Sequence, residues 1–283
     1  MAMNIKFWGV RGSIPSPGPE TARVGGNTSC VEVTVNGSKL ILDAGTGLRK
    51  LGNKLLESGA VDVTVLLSHV HWDHIQGIPF FTPIYVPGTR IHMVSGQNAC
   101  PLRDTLRRQM TTPNFPVDLN DVPAELSFHE LKDRQSVILG DARVTIAKAN
   151  HPDAVYAYRI EHRGHVVVYA TDTEHYSCVD HRLVQLARDA DVLIYDAQYL
   201  PEEYSGQKGM SRVGWGHSTY EAGVALAREA RVGQLVLFHH DPTRTDEAVA
   251  EIENRAREGF ENTCAAREGL SIDVGATSRS QAA

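Results

Sequence analysis

The sequence predicts an α/β fold built as a four-layer αββα sandwich, and three observations carry that expectation. Short Val/Ile/Leu-rich runs recur along most of the chain; they fall into two series; and each series is joined to helical segments. Two such series point to two stacked sheets with helices on their outer faces. With 283 residues, 42% of them hydrophobic and 22% charged, the chain has material for a sizeable core, and residues 1–283 read as one domain.

In chain order, strands are expected over Asn4–Val10, Ser29–Val35 and Lys39–Asp43, the last two joined at Asn36-Gly37, a strong hairpin signal. A helix from Thr46 to Glu57 follows, then an apolar strand, Val61–Leu67, that runs directly into the segment SHVHWDHIQG. Further strands fall at Arg90–Val94, Ala124–Leu131, Arg143–Lys148, Ala154–Ile160 and Val166–Ala170, with the turn Arg163-Gly164 before the last. Strands and helices then alternate: helix Asp180–Arg188, strand Asp191–Tyr195, helix Ser218–Arg231, strand Gln234–Phe238 and a final helix after Asp246. Ser218 and Glu221 read as a capping box for the helix Ser218–Arg231. Residues 96–124, rich in Pro, Arg and Thr, read as an inserted helix and loop, and 277–283 as a flexible tail.

A net charge of −6 gives no bulk attraction to nucleic acid or to anionic membrane, so an anionic ligand needs local positive charge. The first residues lack the apolar core of a signal peptide and no run of about 18 apolar residues occurs, so a cytoplasmic protein without membrane contact is expected. Cys30, Cys100, Cys178 and Cys264 are scattered, without metal or redox spacing, and read as reduced thiols. Histidine is the residue in excess, at thirteen.

Four metal-binding side chains, His69, His71, Asp73 and His74, stand within six residues at the mouth of a strand. Imidazole nitrogen and carboxylate oxygen suit Zn²⁺, and also Mn²⁺ or Fe²⁺. His69 and His71 alternate along an extended segment and can converge on one ion, whereas Asp73 and His74 enter the next helix and point elsewhere, which favours two adjacent ions. Further candidates lie just beyond apolar runs on the same side: His151, Asp172 and His239.

The order His-x-His-x-Asp-His, His, Asp, His resembles the metallo-β-lactamase superfamily across most of the chain. That resemblance implies the metallo-β-lactamase fold, with His69, His71 and His151 on one ion, Asp73, His74 and His239 on the other, and Asp172 bridging two divalent ions, with Zn²⁺ the leading choice. It implies hydrolysis by metal-bound hydroxide. The carboxylate Asp172 stands where typical zinc β-lactamases have a cysteine, which argues against lactam hydrolysis, and His71 argues against the oxygen-reducing diiron relatives.

The segment Gly216-His217-Ser218-Thr219 resembles the His-Ser-Thr segment of RNase Z-type phosphodiesterases, where the histidine helps protonate the leaving oxygen. Asp196, in Ile194-Tyr195-Asp196-Ala197, takes the place of that histidine's acidic partner, which is usually Glu. Asp73, His217 and Asp196 are therefore the catalytic candidates. RNase Z carries a long arm for tRNA between the third histidine and the bridging aspartate, but here only twenty residues separate His151 from Asp172. The closer resemblance is to RNase Z-like enzymes that hydrolyse cyclic nucleotides, so the expected substrates are small phosphodiesters, foremost 3′,5′-cyclic nucleotides cleaved to nucleoside monophosphates, rather than large RNA. Alternatives are a thioester or carboxyl-ester hydrolase, an RNA-processing nuclease and a non-catalytic nucleotide-binding protein. The resemblance also implies a homodimer, with 96–124 as candidate interface.

Lesser candidates surround these. Arg11, Ser13, Asn27 and Thr28, on Gly-rich loops, are candidate phosphate contacts. Asp43 and His240 are candidate partners of the ligand imidazoles. Trp72, Tyr199 and Trp215 can stack a base, and Arg103, Arg107 and Arg108 can form a basic lip.

Overall fold

The computed structural model describes residues 3–97 and 100–275; the expected tail, 277–283, lies outside the described residues. The chain opens with β1 (Met3–Gly9), β2 (Cys30–Val35) and β3 (Ser38–Leu42), the last two turned at Asn36-Gly37, where both residues take positive φ, 48° and 92°, as this tight hairpin requires. There follow α1 (Gly47–Leu56), β4 (Asp62–Leu67), α2 (Trp72–Ile75), β5 (Arg90–Gly96), α3 (Leu102–Gln109) and β6 (Glu125–Leu131). The second half holds β7 (Ser136–Leu139), β8 (Ala142–Lys148), β9 (Tyr156–His162), β10 (His165–Ala170), α4 (His181–Ala187), β11 (Val192–Asp196) and α5 (Pro201–Tyr204). It closes with α6 (Tyr220–Ala230), β12 (Gln234–Phe238), α7 (Asp246–Gly259), β13 (Thr263–Ala265) and β14 (Ser271–Val274).

Among the described residues the strands form two seven-stranded sheets, ordered β14-β1-β2-β3-β4-β5-β6 and β13-β12-β11-β10-β9-β8-β7. Alternation along the strands explains the layering. In β10, Val167 and Tyr169 enter the core between the sheets, while Val166, Val168 and Ala170 pack with residues of α4 and α6 on the outer face. In β4, Leu66 faces the other sheet, whereas Val63, Val65 and Leu67 pack with Leu48, Leu51, Leu102 and Leu106 of α1 and α3. Strands buried on both faces read as continuous apolar runs, which is why they were visible in sequence. The expected αββα sandwich is the observed architecture.

Four elements escaped the sequence reading. The strand β7 is a short edge strand with Ile138 largely exposed, β13 has three residues, β14 has four, and α5 is one turn, so none carries a usable period. The cap of α6 also differs from expectation by one position. Thr219, not Ser218, is the N-cap, its hydroxyl accepting from the Ala222 N–H, while the Ser218 hydroxyl is engaged with Tyr195 and His175. Thr219→Ala should therefore lower the unfolding free energy by about 1 kcal/mol in urea denaturation; no measurable change would remove that cap from the account. No helix among the described residues is long and apolar enough to cross a membrane.

β3 through β6 run parallel, and β8, β10, β11 and β12 share one direction in the second sheet. Their C-terminal ends open on one edge of the sandwich, the place where α/β sheets collect ligands because chain reversals there present side chains and amides.

Candidate metal centre

Each candidate ligand sits at or just past a strand end. His69 follows β4, His151 follows β8, Asp172 follows β10 and His239 follows β12. His71 is the extended N-cap residue of α2, and that turn carries Asp73 and His74 inward, both buried. Asp172 and His239 take left-handed φ values of 51° and 60°, as does Asp43 at 60°. Such backbone costs about 1–3 kcal/mol per residue and persists where surrounding structure over-determines it, commonly at functional sites. Gly12 shows why its loop needs glycine: a Cβ there would lie 2.5 Å from the His239 ring and 2.7 Å from Gln198 Oε1.

The side chains gather in two groups. His69, His71 and His151 bring ligand atoms within 4.8 Å of one another, as do Asp73, His74, Asp172 and His239. In the second group His239 Nε2 lies 3.1 Å from Asp73 Oδ2, 3.2 Å from Asp172 Oδ2 and 3.3 Å from His74 Nε2. His74 Nε2 lies 3.2 Å from both carboxylate oxygens. A tetrahedral ion with bonds of about 2.0–2.1 Å separates its ligands by about 3.3 Å, so these spacings match a zinc-sized site.

The nitrogens turned away from the group have their own partners, which sets the orientation of each ring. His74 Nδ1 meets Asp43 Oδ2 at 2.8 Å, His239 Nδ1 meets Gln198 Oε1 at 2.8 Å, and His69 Nδ1 meets Ser68 Oγ at 3.1 Å. His71 is held through Nε2, 2.9 Å from Asp153 Oδ2. The opposite nitrogen of His69, Nε2, is buried with no hydrogen-bond partner among the described residues. A buried imidazole nitrogen without a proton partner, in a nest of ligand atoms, is what a divalent ion would satisfy. The residues thus fit a two-ion centre on geometry and donor chemistry.

Electrostatics agree. Burial favours protonation of Asp73 and Asp172, yet the facing His74 and His239 hold both carboxyls far below the usual carboxylate range. Burial also opposes charge on His74, but Asp172, Asp73 and Asp43 override it and raise its pKa. By contrast, burial lowers His69 well below the ordinary histidine value, and lowers His151 to about 4, with neighbouring histidines contributing, so these two rings are neutral donors at pH 7. Among the described residues neither Asp73 nor Asp172 has a Lys or Arg partner; two buried carboxylates in that position call for a cation.

His217 stands beside this group. Its Nδ1 is 2.9 Å from Asp196 Oδ2 and 3.9 Å from Asp172 Oδ1, and its ring stacks on His239 at 5.0 Å between centroids. Burial works against a charged ring, but Asp196, by charge and by hydrogen bond, and then Asp172 and Asp73 push the pKa up to about 9. Asp196 in turn accepts from the backbone N–H groups of Gln198 and Ser218 at 3.1 Å, so the shorter Asp side chain still reaches His217 from the end of β11.

Not every candidate belongs to the site. Arg11 is fully buried and donates from Nε and Nη1 to the carbonyls of Gly25, Asp241 and Arg244; it is a scaffold residue rather than a phosphate contact. Asn27 turns to Glu268, and the buried Thr28 hydroxyl bonds the Thr46 N–H and Gln76, so both brace loops instead of facing substrate. His240 is likewise corrected: its Nε2 bonds the Ala266 carbonyl and no ligand imidazole, because successive residues past a strand end point to opposite sides. Ser13 does reach the centre, its backbone N–H donating to Asp73 Oδ2 at 2.7 Å. Asp43 faces His74 as described above. Arg103 is tied to Asn120 and Arg107 to Asp118, whereas Arg108 lines a 640 Å³ cleft with Trp72 and Phe80. Trp72 and Trp215 are exposed, whereas Tyr199 is buried with its ring 5.6 Å from His217.

Several partners are absent from the sequence candidates: Gln198, Asp153 and Ser68 orient ligand rings, and Tyr169 donates to Asp43 Oδ2 at 2.6 Å from the facing sheet. Only Ser68, adjacent to His69, had any sequence signal. The others reach the centre from 41 to 126 residues away.

Two sheets between helices, with a His/Asp cluster and a His–Asp pair on their C-terminal edge, define a metal-dependent hydrolase. A family profile described as the Beta-lactamase superfamily domain matches residues 38–240, and the chain belongs to that superfamily, with the metallo-β-lactamase fold. A protein from Methanosarcina mazei named Ribonuclease Z is 26% identical over 323 aligned residues, covering 96% of this chain and 98% of the relative. Among solved structures, the metallo-β-lactamase fold protein YhfI from Bacillus subtilis superposes with a TM-score of 0.72 at 21% identity, covering 96% of this chain and 98% of that one. A diphosphatase of the PhnP family gives a TM-score of 0.69 at 18% identity, covering 96% and 97%.

Proposed function

We propose that this enzyme hydrolyses small phosphodiesters, foremost 3′,5′-cyclic nucleotides, to monophosphates. The observation that carries the reading is His217, paired with Asp196 and set within 4 Å of Asp172, where an imidazole can deliver a proton to an oxygen leaving phosphorus. His69, His71 and His151 would hold one ion and Asp73, His74 and His239 the other, with Asp172 between them. Two divalent ions, Zn²⁺ foremost among those this donor set suits, supply Lewis-acid charge and activation of water when bound. Asp196 holds the His217 ring through Nδ1, so Nε2 is the nitrogen that would deliver the proton. The Ser13 N–H holds Asp73 in place at the mouth of the site.

A small substrate is supported by what lies between His151 and Asp172. That stretch is taken up by the hairpin β9–β10, turned at Arg163-Gly164, with no segment for the arm that an RNase Z resemblance implies. Processing of RNA is the second reading, favoured by the name of the Methanosarcina mazei relative. A homodimer is part of the proposal, through the face where Trp72 (79% exposed) and Phe80 (58%) adjoin Phe115; light scattering on the purified protein tests it.

The deciding experiment is a hydrolysis panel on protein of measured metal content: cyclic nucleotides, bis-p-nitrophenyl phosphate, a tRNA with a 3′ trailer, a thioester and a β-lactam. Cyclic-nucleotide turnover abolished by chelation and restored by Zn²⁺ or Mn²⁺ is the expected result. Turnover of the tRNA alone would install the RNA reading, and binding of cyclic nucleotide without product would end the enzymatic one.

A further inference from the structure

Glu174 is a fully buried carboxylate that the chemistry above does not use. Its Oε1 accepts from the Tyr204 hydroxyl and the Gly214 N–H, both at 2.7 Å, and its Oε2 accepts from the Gly216 N–H at 2.9 Å. Its own N–H donates to the Asn150 carbonyl at 2.7 Å, and its carbonyl accepts from Asn150 Nδ2 at 3.2 Å. One residue therefore ties together the segment before His151, the segment after Asp172 and the turn before His217. Gly216 makes the contact tight. Its φ is +86°, and a Cβ there would lie 2.3 Å from the His151 ring.

From this geometry we infer that Glu174 is a positioning residue for proton delivery: by clamping the Gly214–Gly216 turn onto the His151 loop it sets where His217 stands relative to the ligand cluster. The physical reason is a shortage of other restraints. The turn has two left-handed glycines, Gly214 at φ +88° and Gly216, and between them Trp215 is 47% exposed, so little apolar packing holds this stretch. Asp196 orients the His217 ring but does not anchor the backbone before it. A general acid misplaced by about 1 Å loses much of its effect. The inference rests on the reading of His217 as proton donor.

Glu174→Gln is the informative variant. The amide keeps the shape, but its NH₂ must face either the Gly216 N–H or the Gly214 N–H, and two donors cannot bond each other. In metal-free protein, hydrogen–deuterium exchange at residues 214–217 should rise by at least about tenfold in the variant, with the core strands unchanged. In the metal-loaded enzyme, kcat on a cyclic nucleotide should fall by about 10- to 100-fold, with KM within about twofold, bound metal unchanged and bis-p-nitrophenyl phosphate turnover reduced less than about threefold. Combined with His217→Ala, it should add little to that variant's loss, since both act on one step. Should Glu174→Gln not fold, Tyr204→Phe, which removes one donor and leaves the carboxylate, should move exchange and kcat in the same direction by less. Unchanged exchange at 214–217, or equal loss on both substrates where His217→Ala is selective, overturns the inference. If His217→Ala shows no selectivity between the substrates, the proton-donor reading is what fails, and exchange alone then decides whether Glu174 clamps the turn.

Discussion

Asp172→Ala should abolish tight binding of at least one divalent ion and lower kcat on any phosphodiester by at least about 10³-fold, because two ions held by the proposed ligands would supply several kcal/mol of transition-state stabilisation. The physical basis is the position of Asp172 between both groups: Oδ1 lies 3.8 Å from His69 Nε2, while Oδ2 lies 3.2 Å from both His74 Nε2 and His239 Nε2. His71→Ala should have a comparable effect on activity, yet leave the other ion bound, since His71 belongs to the first group alone. Metal analysis after gel filtration, beside kcat, checks both. Full turnover by either variant in metal-controlled buffer would sink the two-ion assignment. Asp43→Ala should be milder, costing about 10- to 100-fold in metal affinity through loss of the His74 partner.

The second large effect is expected at His217. Its replacement by Ala should cost about 10²–10⁴-fold in kcat on substrates with a ribose leaving group, and less than about tenfold when the leaving group is p-nitrophenolate, which needs no proton. The contrast matters because His217 also lies near enough to His151 and Asp172 to act as a ligand. Loss of bound metal in the variant, with equal loss on both substrates, would reassign it from acid to ligand. Asp196→Asn should follow the same leaving-group pattern with a smaller loss, since the amide can hold the ring but cannot stabilise its charge.

Much of this was legible along the chain. The strands that hold the ligands are apolar runs because both their faces are covered, and His69, His151, Asp172 and His239 each follow such a run closely. The close spacing of His69, His71, Asp73 and His74 marked the centre by itself. Less legible were the loops. Arg11, Asn27 and Thr28 occupy Gly-rich segments that look like phosphate contacts, but folding turns them toward carbonyls, Glu268 and Thr46. His240 differs from His239 by one position, and that one position reverses its direction.

What the sequence by itself determined is the set of layers, the metal-binding residue types and their place at strand ends, because periodicity and local spacing are properties of neighbouring residues. Tertiary structure alone decided which atoms finish the site. Gln198 meets His239, Asp153 meets His71, Tyr169 crosses from the facing sheet to Asp43, and Glu174 gathers three loops. None of these pairs is close along the chain. Each arises from the way two sheets stack and their loops converge on one edge, and a hydrogen bond made across such a distance leaves no periodic mark in the sequence.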